Sequence, residues 1–318
     1  MPEPSPHHKR RGRLLRRGAS FLVLLAVAGY LAVQYVTGGT GDPACEVVSA
    51  DGDGTAYEFT PEQAVNAATI TAVGTARGLP ERAVAIALAT ALQESGLRNI
   101  THGDRDSLGL FQQRPSQGWG TEKEILDPTY SAGEFYEHLV KVSGYERLPL
   151  TVAAQRVQRS GYPEAYAKHE PDATLLAAAL TGRAAATLTC QGRLDTTPTG
   201  GPDAVRAALV RDFGRDVLTV AAAEVGRKTA ATPTPSPSST PHSTVTLPVP
   251  SDSDTAAGTT VEQRGWQLAH WAVANSSALH IENVTYAGRR WTAGNTDSEW
   301  RPTGTRASSD VVLIVTAR

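Results

Sequence analysis

An apolar run extends from Ala19 to Val36, directly after a basic segment, His7 to Arg17, that is rich in lysine and arginine. At a rise of about 1.5 Å per residue, a helix of this length spans roughly 27 Å, close to the thickness of the hydrocarbon core of a bilayer. The pattern predicts a transmembrane helix at 19–36 and a cytoplasmic basic tail at 1–18. The rest of the chain, which is most of the protein, is predicted to lie outside the cytoplasm. A cleaved signal peptide is the alternative, but it requires a shorter run and a better cleavage site than the glycines at 38, 39 and 41 provide. We therefore expect a single-pass protein of the cell membrane, held in the lipid bilayer by residues 19–36.

Beyond residue 45 the apolar positions recur mainly at helical spacing. The sequence Thr60-Pro61-Glu62-Gln63 combines a hydroxyl cap, a proline at the first helical position and a glutamine three residues after the cap, and predicts a helix that ends near Arg77. A second helix is predicted from Pro80 to Gly96, with a stripe of small apolar side chains that indicates close packing on several sides. Further helices are predicted at 128–142, 151–160, 172–181 and 203–227.

The last part of the chain is predicted to contain a linker and a small module. Residues 229–258 are rich in proline, serine and threonine and cannot bury enough apolar surface to fold, so we expect a disordered linker. After it, 261–279 has helical periodicity, 280–291 has the pattern of a hairpin, and the apolar run Val311–Val315 predicts a buried final strand. The fold class predicted from these patterns is mainly α, with a transmembrane helix, a helical domain at 45–190, a helical segment at 203–228 that can pack with the C-terminal module, and a small α+β module at 261–318.

The composition excludes some classes of function and adds one structural constraint. A formal net charge of −2 over 318 residues provides no large basic surface, so nucleic acid is not an expected partner. Both cysteines, Cys45 and Cys190, lie beyond the predicted anchor, and in an oxidising compartment such a pair predicts a disulfide. Two unpaired buried thiols are the alternative. Because no histidine pattern accompanies the cysteines, we expect no zinc site at this pair. We also expect no other metal site and no cofactor.

The main candidate for a catalytic residue lies at the end of the second predicted helix. Glu94 lies in its last turn, where unsatisfied carbonyl groups disfavour a negative charge, and it follows an apolar stripe that predicts partial burial. Both effects raise the pKa of a carboxyl group, so Glu94 is a candidate acid that keeps its proton near neutral pH, as protonation of a glycosidic oxygen requires. Asp104 and Asp106 follow in a short loop. One of them can serve as a second catalytic carboxylate, or both can be turn residues that cap local backbone amides.

Glu94-Ser95 at the end of an alanine-rich helix, followed by Gly109-Leu110-Phe111-Gln112, resembles the soluble lytic transglycosylase and goose-type lysozyme superfamily. The resemblance covers about 60–190 and implies a helical lysozyme-like fold, with Glu94 as the catalytic acid and Ser95 orienting it. It also implies a cleft for the glycan strand, with one wall at 109–112 and the other at 155–166. The substrate-binding residues implied in this way are Ser95, Gly109, Leu110, Phe111, Gln112, Gln113, Gln158, Tyr162 and Tyr166. The chain as a whole resembles an uncharacterised family of actinobacterial single-pass membrane proteins.

The chain also differs at particular positions from the families that it resembles. Ile100 follows Asn99 where the superfamily has proline, and Val157-Gln158-Arg159-Ser160 occupies the position of its Ala-Tyr-Asn-Ala-Gly motif. Residues 261–318 resemble a small C-terminal domain of actinobacterial cell-wall proteins whose last strand is rich in histidine, but Ser308–Leu313 contains none. We therefore interpret this module as a non-catalytic binding or interaction module.

The sequence supports two hypotheses about function. The first is a membrane-anchored lytic transglycosylase or muramidase that cleaves the glycan strands of peptidoglycan. A lytic transglycosylase needs one carboxylate, because the hydroxyl of the sugar itself closes an anhydro ring, whereas a hydrolase usually needs a second one. We favour the one-carboxylate chemistry. The second hypothesis is a catalytically weak or inactive glycan-binding or scaffolding protein of the cell envelope, and in both cases the expected partner is peptidoglycan.

Overall fold

The computed structural model describes residues 44–160, 163–192, 201–215, 242–249, 259–294, 299–304 and 309–316. Helices form most of the first half of these residues, and a larger sheet forms the C-terminal part. The helices are Pro61–Ala76 (α1), Glu81–Ser95 (α2), Glu122–Ile125 (α3), Pro128–Leu139 (α4), Leu150–Gln158 (α5), Glu170–Leu180 (α6), Pro202–Phe213 (α7), Val261–Ala274 (α8) and Ser276–Leu279 (α9), with 3-10 segments at Pro115–Gln117 and Pro163–His169. The strands are Cys45–Val48 (β1), Ala56–Phe59 (β2), Leu188–Cys190 (β3), His242–Leu247 (β4), Ile281–Tyr286 (β5), Arg289–Thr292 (β6), Arg301–Pro302 (β7) and Val311–Thr316 (β8).

Helices α1 and α2 begin and end close to the positions that local sequence signals predict. The Thr60 hydroxyl accepts the Gln63 N–H and the Gln63 side chain accepts the Thr60 N–H, which confirms the predicted capping box. Helix α2 ends at Gly96, whose φ of 63° lies in the left-handed region that favours glycine. Every residue from Ala83 to Leu92 is buried, because the small side chains of α2 let α1, α5 and α6 pack around it. The helix that carries Glu94 is therefore the centre of the core.

A small three-stranded sheet joins the two ends of the first half of the chain. Strand β1 lies between β2 and β3 and pairs antiparallel with both. Cys45 is directly opposite Cys190 in this register, and the disulfide between them confirms the pairing predicted from the sequence. Each of these strands has only three or four residues, too few for an alternating pattern to be recognised in the sequence.

The C-terminal sheet has the strand order β4-β8-β5-β6-β7, and each of its pairs is antiparallel. The predicted hairpin at 280–291 is confirmed as β5 and β6, and the predicted final strand is confirmed as β8. Strand β4 was not predicted, because it lies in the stretch that the sequence predicts to be a disordered linker. It pairs with β8 along its whole length, and Val245 and Leu247 are buried. Such a strand depends on pairing with a distant segment, so its local signal is weak.

The C-terminal helix and sheet pack against the first half of the chain. The described residues belong to one compact unit that begins at residue 43, and α8 contacts α1, α6 and β3. The Trp291 indole N–H donates to the carbonyl of Cys190 at 3.1 Å, and the Trp300 indole N–H donates to the carbonyl of Leu188 at 2.9 Å. The predicted fold class, mainly α with a separate small module, is therefore corrected to an α+β fold with two antiparallel sheets.

The predicted transmembrane helix, and the single-pass membrane localisation that followed from it, are also corrected. Among the residues that the structure describes, no helix has both the length and the apolar character needed to cross a membrane. The buried helices α1 and α2 have 16 and 15 residues, whereas a span requires about 20. The predicted span 19–36 and tail 1–18 themselves lie outside the described residues. The disulfide is typical of a protein in an oxidising compartment.

Candidate active site

Glu94 lies in the last turn of α2, at the edge of the core. The helix ends there because Gly96 and Leu97 both adopt positive φ, and their N–H groups donate to the carbonyls of Leu92 and Ala91, each at 3.0 Å. Ser95 on one side of Glu94 is buried, whereas Glu94 itself keeps part of its surface in contact with solvent. The residue is thus partly desolvated without being fully enclosed by the core.

Tyr166 is the nearest polar partner of Glu94. It lies on the 3-10 segment Pro163–His169 and is fully buried, and its hydroxyl donates to Oε1 of Glu94 at 2.6 Å. Burial, and then the adjacent Glu94 charge, raise the pKa of Tyr166 far above its ordinary range. Tyr166 therefore stays protonated and acts towards Glu94 as a hydrogen-bond donor.

Gln158, the last residue of α5, joins Glu94 to the opposite loop. Its side-chain amide hydrogen bonds to the Glu94 carboxyl, and its Nε2 also donates to the carbonyl of Phe111 at 2.7 Å. The structure thus brings together three residues implied by the sequence, Glu94, Gln158 and Tyr166, from three separate segments of the chain.

The pKa of Glu94 results from opposing effects. Burial raises it and is the largest contribution, while the hydrogen bonds from Tyr166 and Gln158 lower it because they favour the charged form. The net result is a pKa above the ordinary value of 4.5. The direction agrees with the sequence-based expectation, and partial burial is the main cause.

Ser95 connects the end of α2 to the loop at 107–113. Its hydroxyl lies 2.8 Å from the carbonyl of Leu110 and 3.1 Å from the carbonyl of Ala91, and it accepts the N–H of Arg98 at 3.2 Å. Ser95 therefore fixes the loop next to Glu94.

The loop at 107–113 is anchored in the core by several of its side chains. The side chains of Leu110 and Phe111 are fully buried, and Gln113 is 1% exposed, with its Nε2 donating to the carbonyl of Ser131 at 3.0 Å. These three side chains support the loop from the core, so the expectation that they bind glycan does not extend to the side chains themselves. Gln112 remains partly exposed.

Gly109 lets the loop turn close to the end of α3. Its φ is 75°, and a Cβ at this position would lie 2.7 Å from the carbonyl oxygen of Ile125. Gln112 closes the turn, because its Nε2 donates to the carbonyl of Gly109 at 3.2 Å. Both residues thus shape the loop that is hydrogen-bonded to Ser95 and Gln158.

Asp106 is an anchor for the loop that follows it. Its Oδ1 lies 2.8 Å from Nε of Arg114, and its Oδ2 accepts the N–H of Ser116 at 2.9 Å. The N–H of Ser116, followed by the Arg114 guanidinium, holds the pKa of Asp106 well below its usual range. Asp104 is exposed, and its carbonyl accepts the N–H of Ser107. Of the two roles considered for these aspartates, the contacts of Asp106 match a residue that caps local backbone amides.

His169 is a neighbour of the site that the sequence did not indicate. It lies 3.2 Å, ring Nε2 to Oε1, from Gln93, the residue before Glu94. Residues three apart lie on the same face of a 3-10 helix, and Tyr166 and His169 are spaced in this way on one 3-10 segment. This face of the segment therefore contacts two successive residues of α2, Glu94 and Gln93. The segment has no periodic apolar pattern, and this explains why the contact was not predicted. Tyr162, which was also predicted to bind substrate, lies outside the described residues.

Comparisons with known proteins concern the C-terminal part of the chain. The family described as VldE, C-terminal domain, matches residues 250–311. The matched segment contains α8 and the β5–β6 hairpin, and it does not include Glu94 or its partners. No curated protein matches the chain. Within the described residues, no three histidine, cysteine or acidic side chains are grouped so that they could hold a metal ion.

Proposed function

We propose that this protein cleaves the glycan strands of peptidoglycan, as a lytic transglycosylase or a muramidase, with Glu94 as the catalytic acid. The observation that carries the proposal is a partly exposed glutamate at the end of a buried helix, whose carboxyl group accepts a hydrogen bond from buried Tyr166 and has its pKa raised by burial. Glycosidic bond cleavage needs such a group, because the leaving oxygen must receive a proton as the bond breaks. The superfamily resemblance of Glu94-Ser95 and Gly109–Gln112 supports the same assignment.

The contacts of Glu94 match both halves of an acid–base cycle. In the first step the protonated carboxyl gives its proton to the glycosidic oxygen and becomes a carboxylate. Tyr166 and Gln158 then stabilise the negative charge through hydrogen bonds, since a carboxylate is a stronger acceptor than a carboxylic acid. In the second step the carboxylate takes a proton from the attacking hydroxyl, which returns Glu94 to its starting state.

The surroundings of Glu94 favour chemistry with one carboxylate. Both oxygens of Asp106 are occupied by Arg114 and by the backbone of Ser116, so this group is held as a loop anchor. A hydroxyl of the sugar itself can serve as nucleophile and form an anhydro ring, which removes the need for a second catalytic carboxylate. We therefore favour the lytic transglycosylase within the proposal.

Incubation of the protein with purified sacculi, followed by separation of the soluble products, tests the proposal. We expect anhydro-muropeptides from a transglycosylase and reducing ends from a hydrolase. Glu94→Gln should abolish release of either product, because the amide has no proton of suitable acidity. Glu164→Gln, an exposed glutamate on the segment that carries Tyr166, is the matched control and should release products at the parent rate.

The alternative function makes a different prediction in the same experiment. A glycan-binding or scaffolding protein of the cell envelope should sediment with sacculi but release no products from them. Product release that persists in Glu94→Gln would remove Glu94 from the role of acid.

A further inference from the structure

Trp119 is the one accessible tryptophan of the chain. All five tryptophans lie within the described residues, and the other four are between 0% and 6% exposed. Trp119 is partly exposed and packs against the edge of the core, and its ring lies against that of exposed His138 at a centroid separation of 4.2 Å and an interplanar angle of 31°. An aromatic pair held at the surface is unusual here, because the remaining large aromatic side chains of this protein mostly fill its core.

The loop that carries Trp119 turns closely against Tyr130. Gly118 and Gly120 flank it with φ values of 81° and 126°, and a Cβ on Gly120 would lie 2.7 Å from the hydroxyl of Tyr130. Only glycine fits this close approach without displacing Tyr130. The start of the same loop is fixed by Asp106 through the N–H of Ser116. The Asp106 anchor thus positions the segment that bears Trp119.

A series of contacts leads from Glu94 to α4, the helix that carries His138. Gln158, which hydrogen bonds to Glu94, donates to the carbonyl of Phe111, and the Phe111 ring stacks on Phe135 of α4 at 4.7 Å. His138 is three residues beyond Phe135 on α4, and therefore on the same side of that helix.

We propose that Trp119 and His138 form an aromatic platform that binds a sugar residue of the glycan strand, as a subsite additional to the one at Glu94. The C–H face of a pyranose ring is apolar and flat, so it packs on an indole face while the sugar hydroxyls remain free for polar contacts. His138 supports the indole from behind and limits its rotation. The occupant is a strand of β-1,4-linked amino sugars, and this inference rests on the proposed function because the same strand must reach Glu94.

Binding measured without cleavage tests the platform. In the Glu94→Gln background, β-1,4-linked N-acetylglucosamine oligomers are titrated by calorimetry. In the same samples, acrylamide quenching of tryptophan fluorescence reports mainly on Trp119, because the other four indoles are buried. We expect saturable binding, together with protection of the fluorescence from acrylamide. Quenching that is unchanged in the presence of bound oligomer would overturn the proposal, and so would an absence of binding.

Variants of the platform, made in the same background, separate it from other sites. Trp119→Ala should weaken oligomer binding by about tenfold, and Trp119→Phe, which keeps an aromatic face, should restore most of it. Val140→Ala, an exposed apolar residue shortly after His138, is the matched control and should leave the affinity unchanged. Parent-like affinity in a folded Trp119→Ala variant would overturn the platform even if the Glu94-dependent cleavage of sacculi is observed. Trp119-dependent binding without any cleavage would support the platform and count against the proposed enzyme.

Discussion

At the scale of single residues, the chemistry of Glu94 depends on a balance between burial and neutral hydrogen-bond donors. Burial disfavours the carboxylate and has the larger effect on the pKa. The hydrogen bonds from Tyr166 and Gln158 favour the carboxylate and offset part of that effect. Neither donor carries a charge, so each adjusts the pKa of Glu94 without fixing the group in its ionised form. Asp106 is the opposite case, because an arginine and a backbone N–H keep it ionised. Two carboxylates close in sequence are thus assigned different roles by their neighbours.

Replacement of Tyr166 by phenylalanine should move the pH dependence of cleavage. The variant keeps the buried ring but loses the hydroxyl that stabilises the Glu94 carboxylate, so the pKa of Glu94 should rise further. The alkaline limb of the rate profile on sacculi should therefore shift to higher pH, with the maximal rate within about tenfold of the parent rate. Tyr145→Phe is the control, since that hydroxyl interacts with Glu146. An identical alkaline limb in the parent and in Tyr166→Phe would contradict the assigned role of Tyr166.

Replacement of Glu94 by glutamine should stabilise the fold in a pH-dependent manner. The pKa of Glu94 is raised in the folded state, so the stability that the group contributes is complete below the ordinary value of 4.5 and is lost as pH rises through the folded pKa. Glutamine cannot ionise, so Glu94→Gln should be more stable than the parent at neutral pH, and the difference should disappear in acid. Urea unfolding at several pH values measures this difference. Glu164→Gln should show no comparable trend, and a difference that grows towards acid pH would refute the inferred direction.

At the scale of elements, the sequence predicted what local signals determine. The ends of α1 and α2 follow from a capping box and a left-handed glycine, and the position of Glu94 in a last helical turn follows from the same glycine. The 3-10 segment that carries Tyr166 and His169 was not predicted, because it has no periodicity and depends on packing against α2 and α5. The partners of Glu94 were therefore named only through the superfamily resemblance. Strand β4 was missed for a similar reason, since its pairing partner lies more than 60 residues later.

Loss of the Ser95 hydroxyl should loosen the loop at 107–113. Ser95→Ala removes the donor to the carbonyl of Leu110, and an unpaired buried carbonyl costs about 1–3 kcal/mol. We expect a lower free energy of unfolding by this amount, together with faster amide hydrogen exchange in the loop. Thr174→Ala is the control, because its exposed hydroxyl bonds to a carbonyl within its own helix. If both variants unfold at the same urea concentration, the Ser95 contact does not hold the loop.

At the scale of the whole molecule, the C-terminal part is held to the first half by polar groups as well as by apolar packing. Asp212 of α7 has a fully buried carboxylate that accepts the indole N–H of Trp271 at 2.8 Å and the hydroxyl of Thr69 at 3.2 Å. Trp291 and Trp300 donate to the backbone of β3, the strand that carries Cys190. These contacts join residues that are far apart in sequence and follow no local pattern. The sequence therefore suggested two separate modules, whereas the described residues belong to one compact unit.

Removal of the disulfide should lower stability without changing the native site. The bond joins residues 145 apart, and in the chain-entropy model the constraint of so long a loop in the unfolded chain is worth up to roughly 5 kcal/mol. In the folded state β3 remains paired with β1, and the indoles of Trp291 and Trp300 still hold it. The double variant Cys45→Ala and Cys190→Ala should therefore unfold at a lower urea concentration but retain the Glu94-dependent activity at room temperature. A reducing agent should destabilise the parent and leave the double variant unaffected. Loss of native structure in the double variant at room temperature would mean that the disulfide, rather than the tryptophan contacts and strand pairing, holds β3 in place.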